Sequence, residues 1–146
     1  MTARTILALI DKEPSEEIWQ EAINLAESID TDADEVFAII SQALSKTRHG
    51  DTIAALATCV IEHILERDFA YFDQIEREIN KGNGRMLYAL ASCRKFGESK
   101  RDENSRRWDA LLAANKARLT RAHRRYPDVV KPLEAPDRAW PWNIDE

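Results

Sequence analysis

Residues 51–67, DTIAALATCVIEHILER, place Ile53, Leu56, Ala57, Val60, Ile61, Ile64 and Leu65 at the three- and four-residue spacing of an α-helix. Only a narrow polar strip is left, so this helix must be enclosed on nearly all sides by others. The spacing predicts a central helix over Asp51–Arg67, with Asp51 as its N-cap. The rest of the chain reads as its enclosure.

Upstream, a short helix is predicted over Ala3–Asp11, stopping at Pro14. The next begins near Ser15, with Glu16 and Glu17 at the positive end of the helix dipole. It buries Ile18, Trp19, Ala22, Leu25, Ala26 and Ile29 and turns Glu17, Gln20, Glu21, Asn24, Glu27 and Ser28 the other way. A third helix, Asp32–Lys46, packs through Val36, Phe37, Ile40 and Leu44, before a turn at Arg48-His49-Gly50. Downstream, Asp68–Asn80 presents Phe69, Phe72, Ile75 and Ile79, and Gly82-Asn83-Gly84 ends that helix. The sixth, Arg85–Phe96, packs through Met86, Leu87, Leu90 and Cys93 and halts at Gly97. Glu98–Asn104 reads as a charged linker. A last long helix covers Ser105–Tyr126, with Trp108, Leu111, Leu112, Leu119, Ala122 and Tyr126 on one stripe around Asn115. No segment alternates at strand period. The expected fold is all-α, one domain of six to seven helices in antiparallel hairpins (a bundle or a short HEAT-like array) over residues 1–126. A proline-rich tail, 127–146, follows; Trp140 and Trp142 are expected to pack it on the body.

With 146 residues, 44% of them hydrophobic and 32% charged, the chain has the composition of a globular domain. Nothing approaches the run of about 18 apolar residues needed to span a membrane. The apolar run Ile6–Ile10 is too short for a signal peptide and lacks a cleavage site. Cys59 and Cys93 fall inside helical patterns and read as reduced, buried thiols of a cytoplasmic protein.

Charge is sorted by position. Residues 1–80 hold 6 Lys/Arg against 17 Asp/Glu, a net of −11; residues 81–127 hold 13 against 4, a net of +9; the last 19 hold 2 against 5. On a continuous last helix Arg107, Arg118, Arg121 and Arg125 fall within roughly 60° of one another, a stripe that could lie along phosphates. The overall charge of −5 and the absence of an aromatic-interleaved groove favour a solvated face, or pairing with the acidic half. Nucleic acid is therefore the alternative partner. The carboxylates of the second helix, by contrast, have no packing duty. Glu17, Glu21, Asn24, Glu27 and Asp30 are the candidate contacts to a basic partner protein, attracted by electrostatic steering.

Catalytic chemistry finds little support. Glu62, His63 and Glu66 supply one His-x-x-Glu pair, whereas a di-iron bundle needs two Glu-x-x-His motifs and two more carboxylates. His49 and His123 stand apart from other ligands. No serine-centred nucleophile motif or glycine-rich phosphate loop occurs, and neither cysteine has a histidine positioned for a catalytic pair. The expectation is a non-enzyme without metal or cofactor.

Ile64-Leu65-Glu66-Arg67-Asp68-Phe69, then Phe72, Ile75-Glu76, Glu78, and Met86-Leu87 to Leu90 resemble the central segment of small helical bacterial proteins that include immunity proteins for polymorphic or contact-dependent toxins. Met86 stands where that pattern has an aromatic. The resemblance implies a helical inhibitor whose partner is the C-terminal domain of a cognate toxin.

Overall fold

In the computed structural model, which describes residues 5–13 and 15–125, residues 50–67 form a single rod at the centre of an all-α domain. It consists of α4 (Gly50–Leu56), a wide π turn (Ala57–Ile61) and α5 (Glu62–Arg67), with right-handed helical backbone at both joints. Residues 52–57, 60–62, 64 and 65 are all buried. A rod this apolar lowers its free energy only when covered, each fully buried Ile or Leu contributing about 1.5–3 kcal/mol. The cover comes from α2 (Ile18–Ala26) and α7 (Gly84–Ser92), both packed on α4 and the π turn. Outside these lie α1 (Thr5–Ile10), α3 (Ile29–Lys46) and α6 (Tyr71–Asn80), with α1 on α2 and α3, and α6 on α7.

The π turn has local causes. Thr58 Oγ1 donates to the Ala54 carbonyl at 2.8 Å, competing for a backbone acceptor of the preceding turn. The Ala57 carbonyl accepts from the Glu62 N–H five residues on, and from Cys93 Sγ–H at 3.3 Å.

The rod's start differs from the expectation. Asp51 lies inside the first turn of α4; His49 is the N-cap residue, without a capping side chain. Asp51 instead accepts from Trp19 Nε1–H at 2.6 Å, tying α2 to α4. The preceding turn is organised by Glu13, which accepts from the hydroxyls of Thr47 (2.7 Å) and Thr52 (3.0 Å) and from the Arg48 N–H (3.3 Å). Both threonines are buried, so Glu13 satisfies donors that would otherwise be orphaned.

The second helix ends at Ala26, and α3 starts at Ile29 with a break at Asp32 (φ −152°, ψ 58°). The expected start at Asp32 marks this break, and Asp30 stands on a separate turn from Glu27. At the end of α6 the Asn83 N–H reaches the Glu78 carbonyl and the Gly82 N–H the Ile79 carbonyl, both at 3.0 Å. With Gly82 at φ 101°, this is a Schellman stop. Asn83 Oδ1 then accepts from the Met86 N–H at 3.0 Å and caps α7.

The sixth helix ends at Ser92, four residues before the expected Phe96. Cys93 is extended (ψ 154°), and the Arg94 N–H turns to the buried Glu62 Oε2 at 2.9 Å. Gly97 follows at φ 50°. A Cβ there would lie 2.6 Å from the Glu66 carbonyl oxygen, so only glycine fits this close approach. The expected charged linker is instead a 3₁₀ turn (Gly97–Lys100) and the first turn of α8 (Asp102–Ala114), where Asp102 and Glu103 suit the helix dipole. The long last helix is divided at Asn115 (φ −106°, ψ 11°), whose Nδ2 donates to the Leu111 carbonyl at 2.9 Å; α9 (Lys116–Arg125) begins beyond it. Trp108 and Leu111 are buried, and Leu112 and Leu119 pack partly against the core. The Ala122 and Tyr126 side chains, and the tail with Trp140 and Trp142, lie outside the described residues.

Candidate functional site

Part of the basic block is committed to the domain itself. Arg107 Nη2 meets Asp73 at 2.8 Å and Glu76 at 3.3 Å, while its guanidinium lies 5.0 Å from the centre of the Phe72 ring. The hydrogen bond to Asp73 raises its pKa above the ordinary arginine value. Arg118 Nη1 donates to the Ile79 carbonyl and to Asn115 Oδ1, both at 3.2 Å, placing a cation at the negative end of α6. Lys95 Nζ bonds Ser105 Oγ at 2.7 Å and Asp109 at 2.6 Å. The break at Asn115 removes the continuous helix on which the four-arginine stripe rested. Arg121 is exposed, and the Arg125 side chain lies outside the described residues.

The acidic candidates are arranged differently. Glu17 is the exposed N-cap residue of α2. Gln20 Nε2 donates to Asn24 Oδ1 at 3.0 Å and Asn24 Nδ2 to Glu21 Oε1 at 3.3 Å, so Glu21 and Asn24 are fixed as a pair. Glu27 is exposed just past the last turn of α2. Asp30, on α3, forms a 2.7 Å ion pair with Arg67 Nε. Among the described residues, Glu16, Glu17 and Glu27 have no cation within ion-pair distance.

Two of these carboxylates edge a groove of about 450 Å³. One wall is Ile23, Ala26, Glu27, Ile29 and Asp30; the other is Thr58, Cys59, His63 and Arg67, on the outer side of the rod. Ile23 is 46% exposed, the single large hydrophobic residue left exposed among those described. An apolar floor with a few charged groups at the edge is the usual make-up of a binding cleft. Sequence reasoning missed Ile23 and the opposite wall. One signal was available: Ile23 is the large apolar residue of the second helix that falls off its buried stripe. A second cavity, about 550 Å³, mixes Asp11 and Glu13 with Lys46, Arg48 and His49; Glu13 there is occupied with Thr47 and Thr52.

The Glu62-His63-Glu66 set is split by the helix. Glu62 points inward to the Arg94 N–H, whereas His63 Nδ1 pairs with Glu66 at 3.1 Å and its ring stacks on Phe96. No group of three His, Cys, Asp or Glu side chains among the described residues is placed to hold a metal. Burial pushes the Cys93 thiol well above its ordinary pKa, with the Glu62 charge adding to it. Cys59 is raised in the same direction, first by burial. Neither is tuned as a thiolate nucleophile. No helix among the described residues is long and apolar enough to cross a membrane.

Comparison with protein-family models, curated proteins and solved structures gives no match.

Proposed function

We propose that the protein is a non-catalytic binding protein of the immunity type, which neutralises the C-terminal domain of a cognate toxin by covering it with the face of α2. One observation carries this reading: α2 displays carboxylates that no internal cation answers, and one of them, Glu27, shares a groove with an exposed isoleucine. Glu17 and Glu27 are exposed and unpaired among the described residues, at the two ends of α2, and Ile23 lies about one turn before Glu27 on the groove. An apolar anchor inside a charged rim is how protein interfaces combine contact with steering. The internal use of Arg107 and Arg118 leaves the nucleic-acid alternative with a reduced basic surface. Both cysteines are free thiols, in keeping with a cytoplasmic site of action.

The test is calorimetric titration of the chain against the purified C-terminal domain of a toxin encoded beside its gene. Glu17→Lys, Glu21→Lys and Glu27→Lys together should weaken binding and slow association, most strongly at low salt. Binding unchanged by the triple reversal, with an unaltered circular dichroism spectrum, would sink the acidic-face reading.

A further inference from the structure

We infer that the groove between α2, the first turn of α3 and the outer side of the rod seats one long cationic side chain, an arginine or lysine of the partner protein. This rests on the reading that the α2 face meets a protein partner, and it names what that partner must present. The walls supply Ile23, Ile29 and Cys59 to the methylenes of such a side chain, and the edge supplies Glu27 to its charge, while Asp30 is held by Arg67 beside it. Three kinds of occupant can be compared. An apolar side chain would cover Glu27 without neutralising it, and an unpaired carboxylate withdrawn from water is costly. An anion would meet Glu27 and Asp30, and the groove's own cation, Arg67, already holds Asp30 at 2.7 Å. A long cation satisfies both parts of the groove, because lysine and arginine lay apolar stems along apolar surface while their heads stay at charged or wet edges. Arginine at such a position is also a recurrent source of interface affinity.

The probe is n-butylguanidinium, titrated into the full chain and followed by ¹H–¹⁵N correlation spectra, with pentan-1-ol and hexanoate as the apolar and anionic comparators. Saturable shifts at the amides of Ile23 and Cys59 are expected with butylguanidinium alone, and Glu27→Gln should abolish the saturation. Glu27 is exposed, so this substitution leaves the fold in place, which the same spectra verify. Equal responses to the three probes, or shifts confined to other surfaces, would overturn the inference. Glu27→Gln should also weaken the toxin-domain complex at least about tenfold, the scale of a hydrogen bond to a charged group. A toxin domain that binds the wild type and Glu27→Gln equally would refute the cation seat and leave the immunity reading standing. A toxin domain that does not bind, with butylguanidinium still saturating at Ile23 and Cys59, would refute the immunity reading and keep the seat.

Discussion

Gly97→Ala should destabilise the domain more than Gly82→Ala, although both glycines have positive φ. Gly82, at φ 101°, has nothing within 4 Å of an added Cβ, so alanine there meets only the left-handed backbone; that penalty is about 1–2 kcal/mol. Gly97, at φ 50°, pays a similar penalty and also drives its Cβ to 2.6 Å from the Glu66 carbonyl oxygen and 2.8 Å from Glu66 Cγ. Relief requires backbone movement, since a carbonyl cannot rotate aside as a side chain can, and overpacking of this kind costs about 1–3 kcal/mol. The reduction in unfolded-chain entropy on replacing glycine, about 0.4–1 kcal/mol, applies to both and cancels in the comparison. Urea unfolding followed by circular dichroism reads the difference. With an m-value of about 1–3 kcal/mol per M, an extra loss of about 2 kcal/mol lowers the midpoint by roughly 1 M relative to Gly82→Ala. Equal midpoints for the two variants at the same m-value would refute a tight contact between the 3₁₀ turn and α5.

Glu62→Ala should cost about 1–3 kcal/mol by orphaning the Arg94 N–H, whereas Glu62→Gln keeps an acceptor and should lose less; equal losses in thermal melts would count against the Arg94 bond. Tyr71 donates to Asp34 at 2.5 Å, and that bond, then burial, pushes its pKa up to about 12. Because this exceeds the unfolded value of about 10, the associated stability is intact below about pH 10 and is lost as pH rises through the folded value. Urea midpoints at alkaline pH should therefore fall faster for wild type than for Tyr71→Phe, and parallel declines would refute the linkage. Both cysteines are half-buried, but the Cys93 thiol is engaged by the Ala57 and Ala89 carbonyls. A disulfide reagent should therefore label Cys59 faster than Cys93 in the native state, and Cys59→Ser should remove the faster phase; equal rates would contradict this. Arg107→Ala should cost no more than about 1 kcal/mol, and less in high salt, because its ion pairs are exposed; a salt-independent loss above that would show a buried role.

Helix content and the central position of the rod were legible because apolar spacing in 51–67 is dense enough to leave one arrangement. The Gly82-Asn83-Gly84 stop was legible because its mechanism is local to those residues. The breaks that shape the surface were not. Asn115 interrupts the last helix through its own side-chain bond to Leu111, although it fits the helical stripe by position. The sixth helix stops at Ser92 because Glu62, thirty-two residues before Arg94, claims the Arg94 N–H. The candidate carboxylates could be read off α2, but the groove could not, because its second wall belongs to the rod and faces α2 only in the folded chain. Asp30 illustrates the limit: its sequence neighbours suggest a free acid, and the fold sets it against Arg67.

The π turn works as a phase setter for the rod. In a regular helix each residue advances the azimuth by about 100°, so the extra residue held between Ala57 and Ile61 fixes the azimuth of everything that follows it. Glu62 is thereby aimed at the interior and Arg94, while His63 and Arg67 line the groove opposite Glu27. Rewinding this turn as an ordinary α-helix with its extra residue kept would rotate the downstream half by up to about 100°, exposing Glu62 and dismantling the groove wall together. One inserted residue thus couples the integrity of the core to the layout of the binding face, and neither can be re-registered without the other.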